Sequence, residues 1–153
     1  MANGYQNWPV NLLVVVVTAL TVTLVVLLHY ECLVRLSRRL GRQGDHEPRR
    51  KVLYGIYVLL LIHIVEIWIF GCAGWVLLQV PGAGQLAGLG HAPGWLDAVY
   101  LSAMTYTTVG FGDLAPVGPV RFLAGTEALT GLVLITWSAS FTYLEMERFW
   151  RTR

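Results

Sequence analysis

Apolar residues dominate this chain in four blocks of unequal length, separated by polar or glycine-rich connections. Residues 10–28, 52–80 and 120–144 each form an apolar run near or beyond the roughly 20 residues that a helix needs to cross hydrocarbon. A fourth block, 95–107, is too short to span and reads as a re-entrant helix, with its non-helical continuation sheltered by protein. The expected organisation is an N-terminal membrane helix within 1–30, a basic linker at 31–51, and a larger unit over 52–149. That unit divides into an outer helix at 52–80, a turret at 81–94, a short helix at 95–107, a loop at 108–113 and an inner helix at 119–146, with a tail at 150–153. The fold class is therefore an all-α membrane protein with three transmembrane helices and one re-entrant helix.

Composition agrees with this reading of the solvent. Of the 153 residues, 56% are hydrophobic and 13% charged, and mean hydropathy is +0.58. Charge sets the orientation. Arg35, Arg38, Arg39, Arg42, Arg49, Arg50 and Lys51 crowd the first connection, and Arg148, Arg151 and Arg153 follow the third span. Both segments are expected in the cytoplasm, with the uncharged N-terminal segment outside. The cluster from Arg35 to Lys51 also suits anionic lipid headgroups. Asp45 and Glu47 interrupt it and the formal net charge is only +2, which argues against nucleic acid. The first span is expected to be retained rather than cleaved: no Lys or Arg precedes it, no small-residue cleavage pattern follows, and the basic cluster holds its far end inside. Trp8 and Tyr30 bracket it as interfacial anchors.

Cys32 and Cys72 fall near opposite membrane faces, too far apart for a bridge, which needs Cα atoms within about 7 Å. The chain shows no zinc-type ligand spacing and no Ser/His/Asp constellation, so nothing points to an enzyme.

The most specific chemistry lies at residues 107–113, Thr-Thr-Val-Gly-Phe-Gly-Asp. Gly110 and Gly112, at alternate positions, allow dihedrals that other residues resist, so successive backbone carbonyls can turn toward one axis and replace an ion's hydration shell. Thr108 can add a ring of hydroxyls below them. The short helix before this loop has Pro93 and Gly94 at its entry and Asp97 in its first turn, complementing the positive end of the helix dipole. Its carbonyl end then points toward the membrane centre, where partial negative charge favours a cation.

Together, residues 52–149 resemble the pore module of potassium channels: outer helix, pore helix, filter and inner helix. Thr108, Val109, Gly110, Phe111 and Gly112 match the signature Thr-Val-Gly-Tyr/Phe-Gly, and Asp113 matches the acid that commonly follows it. The resemblance implies that the carbonyls of Thr108, Val109, Gly110 and Phe111, with the Thr108 hydroxyl, form K+ sites supported by Thr107, Gly112 and Asp113. Phe111 removes one hydroxyl from the cuff around the filter. Where some bacterial relatives have a bracing glutamate in the pore helix, this chain has Met104, so a direct brace of that kind to Asp113 is absent, and Glu127 is the acid that could substitute. Glu127, early in the third span, either approaches the pore helix and filter or sits at the outer interface, where it pairs with Arg121 or is protonated. One chain carries one filter loop where four are needed, which implies a homotetramer in the plasma membrane.

Gly131, Ile135, Ser138, Thr142 and Glu145 share one helical face of the third span. They read either as the lining of an aqueous cavity, with Glu145 at its inner mouth, or as small residues that let helices pack closely. His63 and Glu66, three apart near the middle of the second span, read as a pH-sensitive gating element or as a hydrogen-bonded pair joining helices. The first span lacks an arginine ladder, and no nucleotide- or calcium-binding segment is expected after the third. Gating is left to the filter, the inner bundle, lipids, protons or a partner protein. The alternatives to a K+ channel are a non-selective cation channel on the same scaffold and a non-conducting membrane sensor or subunit.

Overall fold

The computed structural model describes residues 7–42 and 48–150. Residues 1–6, 43–47 and 151–153, which include parts of the expected linker and tail, lie outside the described residues. The elements run α1 (Trp8–Arg42), α2 (Pro48–Leu78), β1 (Gln85–Ala87), α3 (Trp95–Tyr106), β2 (Ala115–Val117) and α4 (Arg121–Trp150). Helices α1, α2 and α4 are each long and apolar enough to cross a membrane, and the 12-residue α3 is not.

Helix α1 is longer than the sequence suggests. It continues through most of the region expected as a linker, and its 35 residues rise about 52 Å where hydrocarbon is about 30 Å thick. The last turns are held by the surface they bury: Leu33, Leu36 and Leu40 pack with Leu59 and Ile62 of α2. Glu31 and Arg35, four residues apart, lie 3.5 Å from each other, and the Arg39 guanidinium donates to the Tyr54 hydroxyl at 3.2 Å. Val14, Thr18, Thr21, Val25, His29, Leu33, Leu36 and Leu40 recur every three or four residues and are buried, forming the stripe that α1 turns toward the rest of the chain. Thr18 and Thr21 satisfy their hydroxyls on the carbonyls of Val14 and Val17, as hydrocarbon demands of a lone hydroxyl.

The short helix α3 is wedged between α2 and α4. Two glycines permit the close approach. A Cβ on Gly71 of α2 would sit 2.8 Å from the Val99 Cα, and one on Gly131 of α4 would sit 2.2 Å from the Tyr106 carbonyl oxygen. A second core of Val14, Val25, Phe70, Leu77, Tyr106, Leu123 and Leu134 fills the space around α3.

The turret is not the featureless connection its glycines suggest. Residues Gln85, Leu86 and Ala87 pair antiparallel with Val117, Pro116 and Ala115, so the chain before α3 is laced to the segment just after residues 107–113. The Val120 amide donates to the Ala83 carbonyl at 2.8 Å and continues that lacing.

Candidate functional site

The site begins at the carbonyl end of α3. Asp97 caps the other end, its carboxylate accepting the Gly94 amide at 2.8 Å. From the carbonyl end the chain enters residues 107–113 with left-handed backbone at every second position: φ is 57° at Thr108, 53° at Gly110 and 81° at Gly112. In a strand, successive carbonyls alternate sides. Rotating every second peptide is the dihedral pattern that brings them to one side, which is why glycine is suited to two of the three positions. Thr108 bears the strain of a β-branched residue at positive φ, a conformation that costs roughly 1–3 kcal/mol and clusters at functional segments. The loop is anchored by amides of Thr108 and Gly110 donating to the carbonyls of Thr105 and Met104 at 3.0 and 3.2 Å. All seven residues of the heptad are exposed on this chain, with Val109 at 55% and Phe111 at 71%.

Three side-chain contacts support the loop, and only some were legible beforehand. The Tyr100 phenol donates to Asp113 Oδ2 at 2.8 Å, spanning from the middle of α3 to the end of the heptad. Beside it, Gly88 passes so close to the Asp113 carbonyl that a Cβ there would lie 1.9 Å from its oxygen. The second contact is made by Glu127. Its side chain is buried against α3, hydrogen-bonded to Ser102 rather than paired with Arg121 at the surface, and the Ser102 Oγ also lies 2.7 Å from the Ile67 carbonyl oxygen of α2. Met104, meanwhile, contributes its carbonyl and no side-chain brace.

The third contact is a buried polar network at the foot of the loop. Tyr106, the last residue of α3, donates its phenol to Glu66, whose carboxylate is fully buried. His63 Nδ1 lies 3.0 Å from Glu66 Oε2 and 2.9 Å from the Tyr106 hydroxyl. His29 of α1, also fully buried, places Nδ1 2.8 Å from Glu66 Oε1. The outer nitrogens of both rings converge on Ser138 of α4, His63 Nε2 at 3.1 Å and His29 Nε2 at 3.4 Å. The His63/Glu66 pair is thus part of a junction of all four helices. His29, Tyr100, Ser102 and Tyr106 were missed in the sequence. For His29 a signal existed, since it falls on the same helical face as Thr18, Thr21 and Val25.

The five-residue stripe on α4 divides. Gly131 and Ser138 face the chain's own interior, one against the Tyr106 carbonyl and the other against the two histidines. Ile135 is exposed, the Thr142 hydroxyl donates to the Ser138 carbonyl at 2.9 Å, and Glu145 lines a small gap with Lys51 and Leu40. Gly131 and Ser138 therefore serve the close-packing alternative. The hydroxyls on the outward side of α4 are instead those of Thr136 and Ser140, both exposed.

Helices that cross a membrane around an exposed, left-handed glycine loop define an ion-conducting class of membrane protein. The chain belongs to the ion channel family, which it matches over residues 57–146, and it is a multi-pass membrane protein of transport type. It is 40% identical over 52 residues to Protein LctB of Geobacillus stearothermophilus, covering 34% of this chain and 39% of the relative. It is 34% identical over 102 residues to the uncharacterized membrane protein YdjJ of Bacillus subtilis (strain 168), covering 64% of this chain and 29% of that one. It is 46% identical over 54 residues to two pore potassium channel c of Oryza sativa subsp. japonica, covering 33% and 11%. The aligned region thus spans less than two-fifths of each of these relatives. No solved structure matches the chain.

Proposed function

We propose that four copies of this chain form a passive, K+-selective pore whose filter is residues 108–112. The observation that carries this reading is the alternation of left-handed backbone at Thr108, Gly110 and Gly112 on a segment exposed along its whole length. A carbonyl strip on one chain walls an ion on one side only, and symmetry about a fourfold axis completes the cage. Exposed Val109 and Phe111 side chains then find cover against neighbouring subunits. The aligned similarity to two pore potassium channel c supports K+ as the ion.

In this assembly the carbonyls of Thr108, Val109, Gly110 and Phe111 replace the waters around K+, and neighbouring ions repel each other along the file, so exit stays fast. The carbonyl end of α3 faces the cavity below. Thr136 and Ser140 line that cavity, and Leu129 and Leu132, on the same exposed side of α4, narrow it. The basic residues Arg35, Arg38, Arg39, Arg49 and Arg50 lie on the cytoplasmic side with anionic lipid near them, and the filter opens outward.

The test is reconstitution of the full chain in liposomes, with the reversal potential measured under opposed K+ and Na+ gradients. The expected value lies near the K+ equilibrium potential. Gly110→Ala is expected to reduce flux sharply, because a side chain disfavours the φ of +53° that turns this peptide, while within the chain its Cβ meets no atom within 4 Å and the helix packing is left intact. Flux undiminished by Gly110→Ala would show that ions do not pass this way.

A further inference from the structure

We propose that His29, His63 and Glu66 form a binding site for a transition-metal dication of the zinc type, buried where α1, α2, α3 and α4 meet. The site lies at the foot of the loop and uses no residue of the heptad 107–113.

Proton counting makes the first case. With both imidazoles neutral, His29, His63, Ser138 and Tyr106 each carry one hydrogen-bonding proton, and Glu66 carries none. Six close polar contacts join these five groups: His29 to Glu66, His63 to Glu66, His63 to Tyr106, Tyr106 to Glu66, His63 to Ser138 and Ser138 to His29. Even if the His63 Nδ1 proton is shared between Glu66 and Tyr106, one contact has no proton to fill it. The remaining contact leaves room for one more unit of positive charge beside a fully buried carboxylate, which a metal dication can supply.

Geometry makes the second. One ligand atom from each of His29, His63 and Glu66 lies within 4.8 Å of the other two. Bonds of about 2.0–2.2 Å at tetrahedral angles place ligand atoms about 3.4 Å apart, so small side-chain movements suffice. Two imidazoles with one carboxylate suit zinc and its neighbours, whereas Mg2+ and Ca2+ prefer all-oxygen shells. The Tyr106 hydroxyl, 2.9 Å from His63 Nδ1, is close enough to supply a fourth ligand.

The surrounding shell makes the third. When Nδ1 of each ring binds metal, the ring proton resides on Nε2 and needs an acceptor, which is how metal-ligating histidines are generally oriented. Both Nε2 atoms point at one oxygen, the Ser138 Oγ, whose two lone pairs accept both. Trp137, with its ring 5.5 Å from that of His29, closes the site on the α4 side.

The experiment uses the full chain in detergent, stripped with chelator and dialysed against Zn2+ alone, with bound metal counted per chain. About one tightly held Zn2+ per chain is expected. Among the described residues His91, exposed and 4.0 Å from Asp97, is a competing surface site, and His91→Ala is expected to leave the tight site unchanged. Ser138→Ala, a small change that preserves packing, is expected to weaken Zn2+ about 10–100-fold by removing the shared acceptor, and Glu66→Gln to weaken it at least as much. Co2+ in the unaltered chain is expected to give an intense tetrahedral absorption band, a readout that needs no variant. Absence of tight Zn2+ binding, its loss in His91→Ala, or an octahedral Co2+ spectrum would each overturn the site.

Discussion

The Tyr100 phenol and the Asp113 carboxylate are joined by a 2.8 Å hydrogen bond that ties the middle of α3 to the far end of the loop at 107–113. It braces the loop from behind with a tyrosine, where a glutamate in the pore helix would otherwise reach the same acid. In Tyr100→Phe the carboxylate loses this donor, and the loop is held at that end mainly by the β1–β2 ladder. The reversal potential in liposomes is expected to shift toward the Na+ value. Asp113→Asn keeps an acceptor oxygen for the phenol and is expected to shift it less.

Two glycines of α4 predict opposite outcomes for one substitution. Gly131→Ala drives a Cβ to 2.2 Å from the backbone carbonyl of Tyr106, while a Cβ on Gly125 meets nothing within 4 Å. Overpacking of this kind costs about 1–3 kcal/mol, so Gly131→Ala is expected to lower the thermal unfolding midpoint in detergent and Gly125→Ala to leave it unchanged or raise it slightly.

The buried Glu127–Ser102 contact predicts a preference for chemistry over charge. Glu127→Gln retains both a donor and an acceptor for the Ser102 hydroxyl, and its stability is expected to stay close to that of the parent. Glu127→Leu removes both, leaves Ser102 with only the Ile67 carbonyl, and is expected to cost about 1–3 kcal/mol, measured by unfolding in detergent.

Thiol accessibility separates the two faces of α4. In a Cys32→Ser/Cys72→Ser background, a charged thiol reagent reaching the cavity is expected to block flux through Thr136→Cys within the exposure, and to leave Ser138→Cys conducting, because position 138 is buried against His63. Equal block at both positions would place the cavity on the stripe that holds Ser138.

Much of this protein is local and therefore legible in its sequence. The three spans follow from the length of the apolar runs, because hydrocarbon forces each backbone to satisfy its own hydrogen bonds and leaves helix as the one solution for a single segment. The short α3, its Asp97 cap and the left-handed glycines of the filter loop follow from residues within a few positions of one another. Where α1 ends is not local: a helix, once started, continues where its side chains find partners, and the partners of Leu33, Leu36 and Leu40 lie on another helix.

What the tertiary structure alone decided is which face of each span turns inward. In water, polarity marks the outer face of a helix. In lipid, both faces of α4 are apolar with scattered small hydroxyls, so periodicity groups Gly131 with Ser138 without saying whether the group meets the chain's own α3 or an aqueous cavity. The same holds for partners distant along the chain: Glu66 is three residues from His63 and 37 from His29, and only the packing of α1 against α2 brings the second histidine to the carboxylate. Local chemistry determined where the backbone carbonyls of residues 107–113 can turn to one side; the contacts among the helices decided what holds that loop in place.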